Sequence, residues 1–128
     1  MKKKTHQAQK NISSKKIADL IVFAIKEKKG VNPRTLDLRK LSTIADYFVV
    51  VSGTSDRHLK TLAEGVEDYL RLKGIRPLHH VDRSVSSWVA LDYGAVVVHV
   101  FLNETRKFYG LERLWGVPKK VRKPKKKF

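Results

Sequence analysis

Cysteine is absent from the 128 residues. Disulfide frameworks, Cys-ligated zinc and thiol nucleophiles are therefore excluded. Long apolar runs are missing too. The longest, Ala95 to Leu102, contains His99 and falls far short of the roughly 18–20 residues that a membrane span needs. Acid is missing from both ends. Residues 1–16 hold six Lys, and residues 117–128 hold six Lys and Arg122, with no Asp or Glu in either stretch. Those ends carry 13 of the 16 net positive charges, while residues 17–116 hold 15 basic and 12 acidic residues. The expectation is one near-neutral domain, 17–116, between two basic flexible tails, 1–16 and 117–128. Hydrophobic residues at 41% can fill one core. Acid-free tails suit a polyanion such as RNA, bound without regard to sequence and weakened by salt. The tail residues expected to make such contacts are Lys2, Lys3, Lys4, Lys119, Lys120, Arg122, Lys123, Lys125, Lys126 and Lys127.

Further absences narrow the chemistry. Ile17 to Ile25 follows a Lys-rich start but contains Asp19, closes on Lys26-Glu27-Lys28-Lys29 and lacks an Ala-x-Ala cleavage pattern. It reads as a folded helix, not a signal peptide. The Gly53-Thr54-Ser55 turn could offer free amides to phosphate at a helix start. Nucleotidyltransferases follow such a turn with paired acids, because two metals must bridge the phosphate and the attacking oxygen. Here Asp56 is followed two residues later by His58, and Asp37 has no acid at that spacing. A lone turn of this kind is usually a tight strand-to-helix connection. His79 and His80 are neighbours and would point to opposite faces of a strand, so with Asp82 they make a poor metal site. His99 reads as a core histidine bonded to a neighbour. Ser84, Ser86 and Ser87 lack a nucleophile elbow. There is no zinc-finger pattern, no heptad, no RNA-binding aromatic motif and no internal repeat.

What is present is hydrophobic periodicity. Ile17, Leu20, Ile21, Ala24 and Ile25 predict a first helix, with Ser13 or Ser14 as cap and Gly30 as stop. Asn32-Pro33 predicts a turn, and Thr35 to Leu38 a half-buried strand. Tyr47 to Val51 is continuously apolar, the mark of a strand covered on both faces. Leu59, Leu62, Ala63, Val66 and Leu70 predict a second helix, capped by Ser55 and stopped by Gly74. A strand within Ile75 to Val81 would complete a βαβ unit. Trp88 to Leu91 and Ala95 to Leu102 predict a hairpin around Asp92-Tyr93-Gly94. Asn103 would cap a last helix with Phe108, Leu111 and Trp115 on one face. The order is α-β-β-α-β-β-β-α: an α/β fold with a single mixed β-sheet flanked by helices.

A candidate site also emerges. Trp88, Ala90 and Asp92 should share one face of a strand, with Tyr93 at the hairpin tip. An aromatic beside an acid suits a protein-binding hot spot. The competing role for Trp88 is as a core residue.

Three blocks are recognisable: Asp46-Tyr47-Phe48-Val49-Val50-Val51-Ser52-Gly53-Thr54-Ser55-Asp56-Arg57-His58, Trp88 to Phe101, and Arg106-Lys107-Phe108-Tyr109-Gly110-Leu111-Glu112-Arg113-Leu114-Trp115. In order and spacing they resemble the ribosomal silencing factor family, also called Iojap-related. The resemblance covers about residues 15–116. It implies a nucleotidyltransferase-like fold without demonstrated transferase chemistry; no cofactor and no metal are expected. It implies binding to the large ribosomal subunit through its fourteenth ribosomal protein at the subunit-joining face. Blocking the small subunit there would repress translation. It also implies a homodimer off the ribosome and a cytoplasmic location, with organellar relatives that assist large-subunit assembly. The family's partner-binding Trp and Asp fall on Trp88 and Asp92, with Leu91 and Tyr93 as expected rim residues. One departure stands out: Val81-Asp82 replaces the family's usual Glu-Gly, which puts contacts of the 81–87 loop in doubt. The alternatives are an assembly factor on the same surface, a nucleotidyltransferase, and a general RNA-binding module working through its tails.

Overall fold

The first helix starts where a serine can satisfy its open amides. Ser13 Oγ accepts from Lys16 N–H, and α1 (Ser14–Glu27) buries Ile17, Ala18, Ile21, Ala24 and Ile25. The computed structural model describes residues 12–78 and 87–110. The elements that follow are β1 (Val31–Asp37), β2 (Tyr47–Gly53), α2 (Asp56–Leu72), β3 (Trp88–Asp92), β4 (Val96–Leu102) and α3 (Asn103–Tyr109).

The four strands form one mixed sheet in the order β1-β2-β4-β3. Strand β2 runs parallel to β4, from Tyr47 opposite Val96 to Gly53 opposite Leu102. Both outer strands are antiparallel to their neighbours. Every residue of β2 is buried, as its unbroken apolar run predicts for a central strand. Alternation divides the side chains between two faces. Tyr47, Val49, Val51, Val89, Leu91, Val96, Val98 and Val100 pack with α1 and α2. Leu36, Leu38, Ala45, Phe48, Val50 and Phe101 form a second cluster, with Trp88 and Val97 against it.

The expected mixed α/β sheet is therefore present, but four local expectations change. Residues 75–78 are not in a strand, and 79–81 lie outside the described residues. The parallel partner of β2 is instead β4, reached through α2 and then β3. Asn32-Pro33 is not a turn between elements. Asn32 takes φ 50° and the register shifts between Val31 and Arg34, so the pair forms a bulge inside edge strand β1. The left-handed residue after α1 is Lys29, at φ 62°, not Gly30. Gly30 is needed for space: a Cβ there would lie 2.5 Å from Ile25 Cγ2 and 2.7 Å from Val51 Cγ2. Finally, Leu102 is the N-cap of α3 and no side chain caps it, so Asn103 begins the helix rather than capping it.

Lys15 and Lys16, which charge alone places in the N-terminal tail, lie in the first turn of α1. Residues 1–11 and 111–128 hold most of the two expected tails and lie outside the described residues. So do Leu111, Trp115 and the 79–86 segment with His79, His80, Val81, Asp82, Ser84 and Ser86.

Candidate protein-docking face

Alternation along β3 sorts the four expected partner-binding residues into two pairs. Val89 and Leu91 turn toward the helices, and Leu91 is fully buried. Trp88, Ala90 and Asp92 are half-buried on the opposite side. Tyr93 follows the strand at 1% exposure, within the helix-side cluster. The expectation that Leu91 and Tyr93 form an exposed rim is therefore corrected. Odd positions of β3 face the core, so these two support the site from behind. Trp88 and Asp92, four residues apart on a strand, are separated by about 13 Å.

Trp88 is both packed and presented. Its Nε1–H donates to His99 Nδ1 at 3.1 Å, across the β3–β4 ladder. Its ring lies 5.2 Å from Phe101, and His99 meets Phe48 edge-on at 4.6 Å. The expectation of a core histidine bonded to a neighbour holds. Because Nδ1 accepts, the proton of neutral His99 sits on Nε2. That atom is buried and has no hydrogen-bond partner among the described residues. Burial pulls the imidazole down from its usual 6.5 to about 4, so the ring is neutral at physiological pH.

Asp92 has a local task as well. Its Oδ1 accepts from Gly94 N–H at 2.8 Å, which closes an Asx turn at the hairpin. Gly94 adopts φ 86°, the left-handed conformation expected of it. Leu78 N–H donates to the Asp92 carbonyl at 2.7 Å, and the 38–46 connection abuts the same end of the sheet through Asp46 N–H to Ala95 O at 2.7 Å. That connection exposes Ile44 at 72% and Leu41 at 51%, while its Leu38 and Ala45 pack in the second-face cluster with Trp88. Ile44 and Leu41 are candidate docking residues that periodicity could not reveal. They are isolated apolar residues in a polar loop, and only the fold carries them to this end of the sheet.

The Gly53-Thr54-Ser55 turn makes specific local contacts. Thr54 N–H donates to His58 Nδ1 at 2.9 Å, and His58 N–H donates to Ser55 Oγ at 3.1 Å. His58 Nε2–H in turn donates to the Lys28 carbonyl at 2.9 Å. The Thr54 amide and the His58 ring thus tie the start of α2 to the end of α1. Asp37 lies opposite Tyr47 at one end of β2, whereas Asp56 follows Gly53 at the other. Seven strand residues put them about 20 Å apart, against the roughly 4 Å spacing of a two-metal site. Asp37 is instead held by Arg39 at 2.7 Å, which lowers its carboxyl to about 2. Among the described residues no group of three His, Cys, Asp or Glu could hold a metal ion, and no helix is long and apolar enough to cross a membrane.

Comparison with known proteins places these features in company. The family model described as "Ribosomal silencing factor during starvation" matches residues 11–127. The ribosomal silencing factor of Bacillus subtilis is 33% identical over 105 residues, covering 82% of this chain and 89% of that protein. A mouse protein named for mitochondrial assembly of the ribosomal large subunit is 32% identical, over 82% of this chain and 47% of its own length. A crystal structure of a Chromobacterium violaceum protein superposes with a TM-score of 0.79 at 31% identity, covering 91% of this chain and 92% of that one.

Proposed function

Since this chain belongs to the ribosomal silencing factor family, we propose that it binds the large ribosomal subunit through the Trp88–Asp92 face and keeps the small subunit from docking. The observation that carries this reading is the pairing on β3 of a half-buried aromatic and a carboxylate, on the sheet face turned away from α1 and α2. Trp88 supplies an apolar anchor already held in place by His99, so little conformational entropy is lost on docking. Asp92 supplies a negative charge suited to a basic partner, as a ribosomal protein set among RNA is; we assign that partner as the fourteenth protein of the large subunit. Ile44 and Leu41 extend the contact. No bond is made or broken, and no cofactor is needed: occupancy alone is the mechanism. The basic tails add contacts to ribosomal RNA, and two copies of the chain pair when no subunit is bound. The site of action is the cytoplasm.

A second reading has a specific support. The mouse relative is named for large-subunit assembly, which would use the same face on a precursor particle. Sucrose-gradient sedimentation of a lysate, followed by detection of this protein, separates the readings. Silencing predicts co-sedimentation with mature free large subunits and exclusion from joined ribosomes. Assembly predicts co-sedimentation with precursor particles alone. Migration only at the top of the gradient would contradict both.

A further inference from the structure

Helices α1 and α2 run antiparallel, with Phe23 beside Tyr69, and Lys28 beside His58 and Gly65. Their inward residues fill the core, yet Phe23 is 49% exposed and Leu72 is 83% exposed. These two apolar residues are not scattered. The Phe23 and Tyr69 rings lie 5.1 Å apart. Leu20 stands one turn before Phe23, and Leu72 one turn after Tyr69, so all four share the seam between the helices. Leu20 and Tyr69 are half-buried and pack on the core beneath. The seam is therefore a shallow groove, floored by Leu20 and Tyr69 and walled by Phe23 and Leu72.

Charge along this groove is uneven. On its outer flanks Asp19 is held by Lys15 at 3.3 Å, and Asp68 by Arg71 at 2.6 Å. Lys16 lies one turn before Leu20, and α1 has no acid in its first turn. Lys73 sets its Nζ over the Tyr69 ring, 5.3 Å from the centroid. The end of the groove where α1 begins and α2 finishes thus carries Lys15, Lys16, Arg71 and Lys73 against Asp19 and Asp68. Both carboxylates there are engaged by neighbours on their own helices, so the excess charge is positive. Glu27 and Glu64 lie toward the other end, beyond Phe23.

We infer that this groove docks an amphipathic helix of a partner protein, with carboxylates flanking its apolar stripe. A contiguous apolar seam rimmed by charge marks an interaction site. A helix presents side chains at the spacing of Leu20 and Phe23 on one wall and of Tyr69 and Leu72 on the other, and its apolar stripe would cover the two exposed residues. Carboxylates beside that stripe meet Lys16 and Lys73. A flat anionic lipid surface fits less well, because it would press on Asp19 and Asp68 as well as on the seam. A helix lying in the groove leaves those two ion pairs in water. Trp88 and Asp92 lie on the opposite face of the sheet. Occupancy of the groove therefore does not depend on the ribosomal role, and both surfaces can be filled at once.

Titrating the full-length ¹⁵N-labelled chain with two synthetic amphipathic helical peptides tests this. Both carry the same leucine stripe, flanked by glutamates in one and by lysines in the other. The glutamate peptide should shift the amides of Leu20, Phe23, Tyr69, Leu72 and Lys73 together, to saturation, and should bind about tenfold or more tightly than the lysine peptide. Phe23→Ser/Leu72→Ser changes exposed positions only, and each spectrum reports folding directly. That variant should bind the glutamate peptide about tenfold or more weakly. Leu41→Ser/Ile44→Ser, exposed on the 38–46 connection, should leave this binding unchanged. Shifts confined to the basic tails, or the same groove shifts from a glutamate peptide whose leucines are scrambled, would overturn the inference. Equal binding of the lysine peptide would overturn the acidic assignment. Vesicles of equal phosphatidylglycerol and phosphatidylcholine should not perturb these amides; if they do so while the glutamate peptide does not, the occupant is a membrane and the inference fails.

Discussion

Trp88 and His99 share one hydrogen bond, and its direction sets the protonation of the pair. With Nδ1 accepting and Nε2 buried, protonated His99 would place a charge in an apolar cluster. Folding should therefore depend on pH in a definite direction. Above pH 6.5 the imidazole is neutral in folded and unfolded chains, and its contribution is fully present. Between 6.5 and about 4 the unfolded chain takes up a proton that the folded chain refuses, so stability falls by about 3 kcal/mol across that window. Urea titrations at pH 7 and pH 4.5 should show this loss, and His99→Gln should flatten it. The alternation that puts Trp88 and Asp92 on one face was legible in the sequence. The same alternation sends Leu91 to the buried side, against its expected place at the rim, because a motif carries residues over by neighbourhood while a strand sends neighbours to opposite sides.

At the scale of elements, both long helices were readable because each carries its own evidence: a 3.6-residue stripe and a serine at its start. The pairing of β2 was not readable. Its parallel partner is the last strand, and nothing in a local pattern says which of two later strands lies beside it. Gly30 shows the same limit. Its place after α1 suggests a left-handed stop, yet its role is to let Ile25 and Val51 approach the backbone. Gly30→Ala should lower stability by about 1–3 kcal/mol through overpacking. Gly74→Ala meets no neighbouring atom and should be strained only by its φ of 81°. Thermal melts of the two variants separate crowding from backbone strain. His58, which the sequence marks only as the residue standing where an acid would be, joins the turn before α2 to the end of α1 through its ring.

For the whole molecule, the net positive charge is concentrated in the tails. Deleting 1–11 and 118–128 removes Lys2, Lys3, Lys4, Lys10, Lys119, Lys120, Arg122, Lys123, Lys125, Lys126 and Lys127. It spares Ser13, the cap of α1, so the domain should fold. Affinity for the large subunit should weaken mainly at low salt, with the salt slope flattening by about 0.7–0.9 for each phosphate that the tails no longer neutralise. An unchanged slope would mean that the tails touch no RNA.

The central claim is that occupying one face of the large subunit is enough to prevent joining. Light scattering on purified large and small subunits, mixed in magnesium with and without the protein, tests it most directly. The intact chain should suppress formation of joined ribosomes in proportion to its binding. Asp92→Asn keeps an acceptor for the Asx turn but removes the charge, and Ile44→Asp alters an exposed position. The combined variant, with its melting point verified, should bind about tenfold or more weakly and permit joining. Normal joining in the presence of saturating intact protein, or full suppression by the folded variant, would contradict the account.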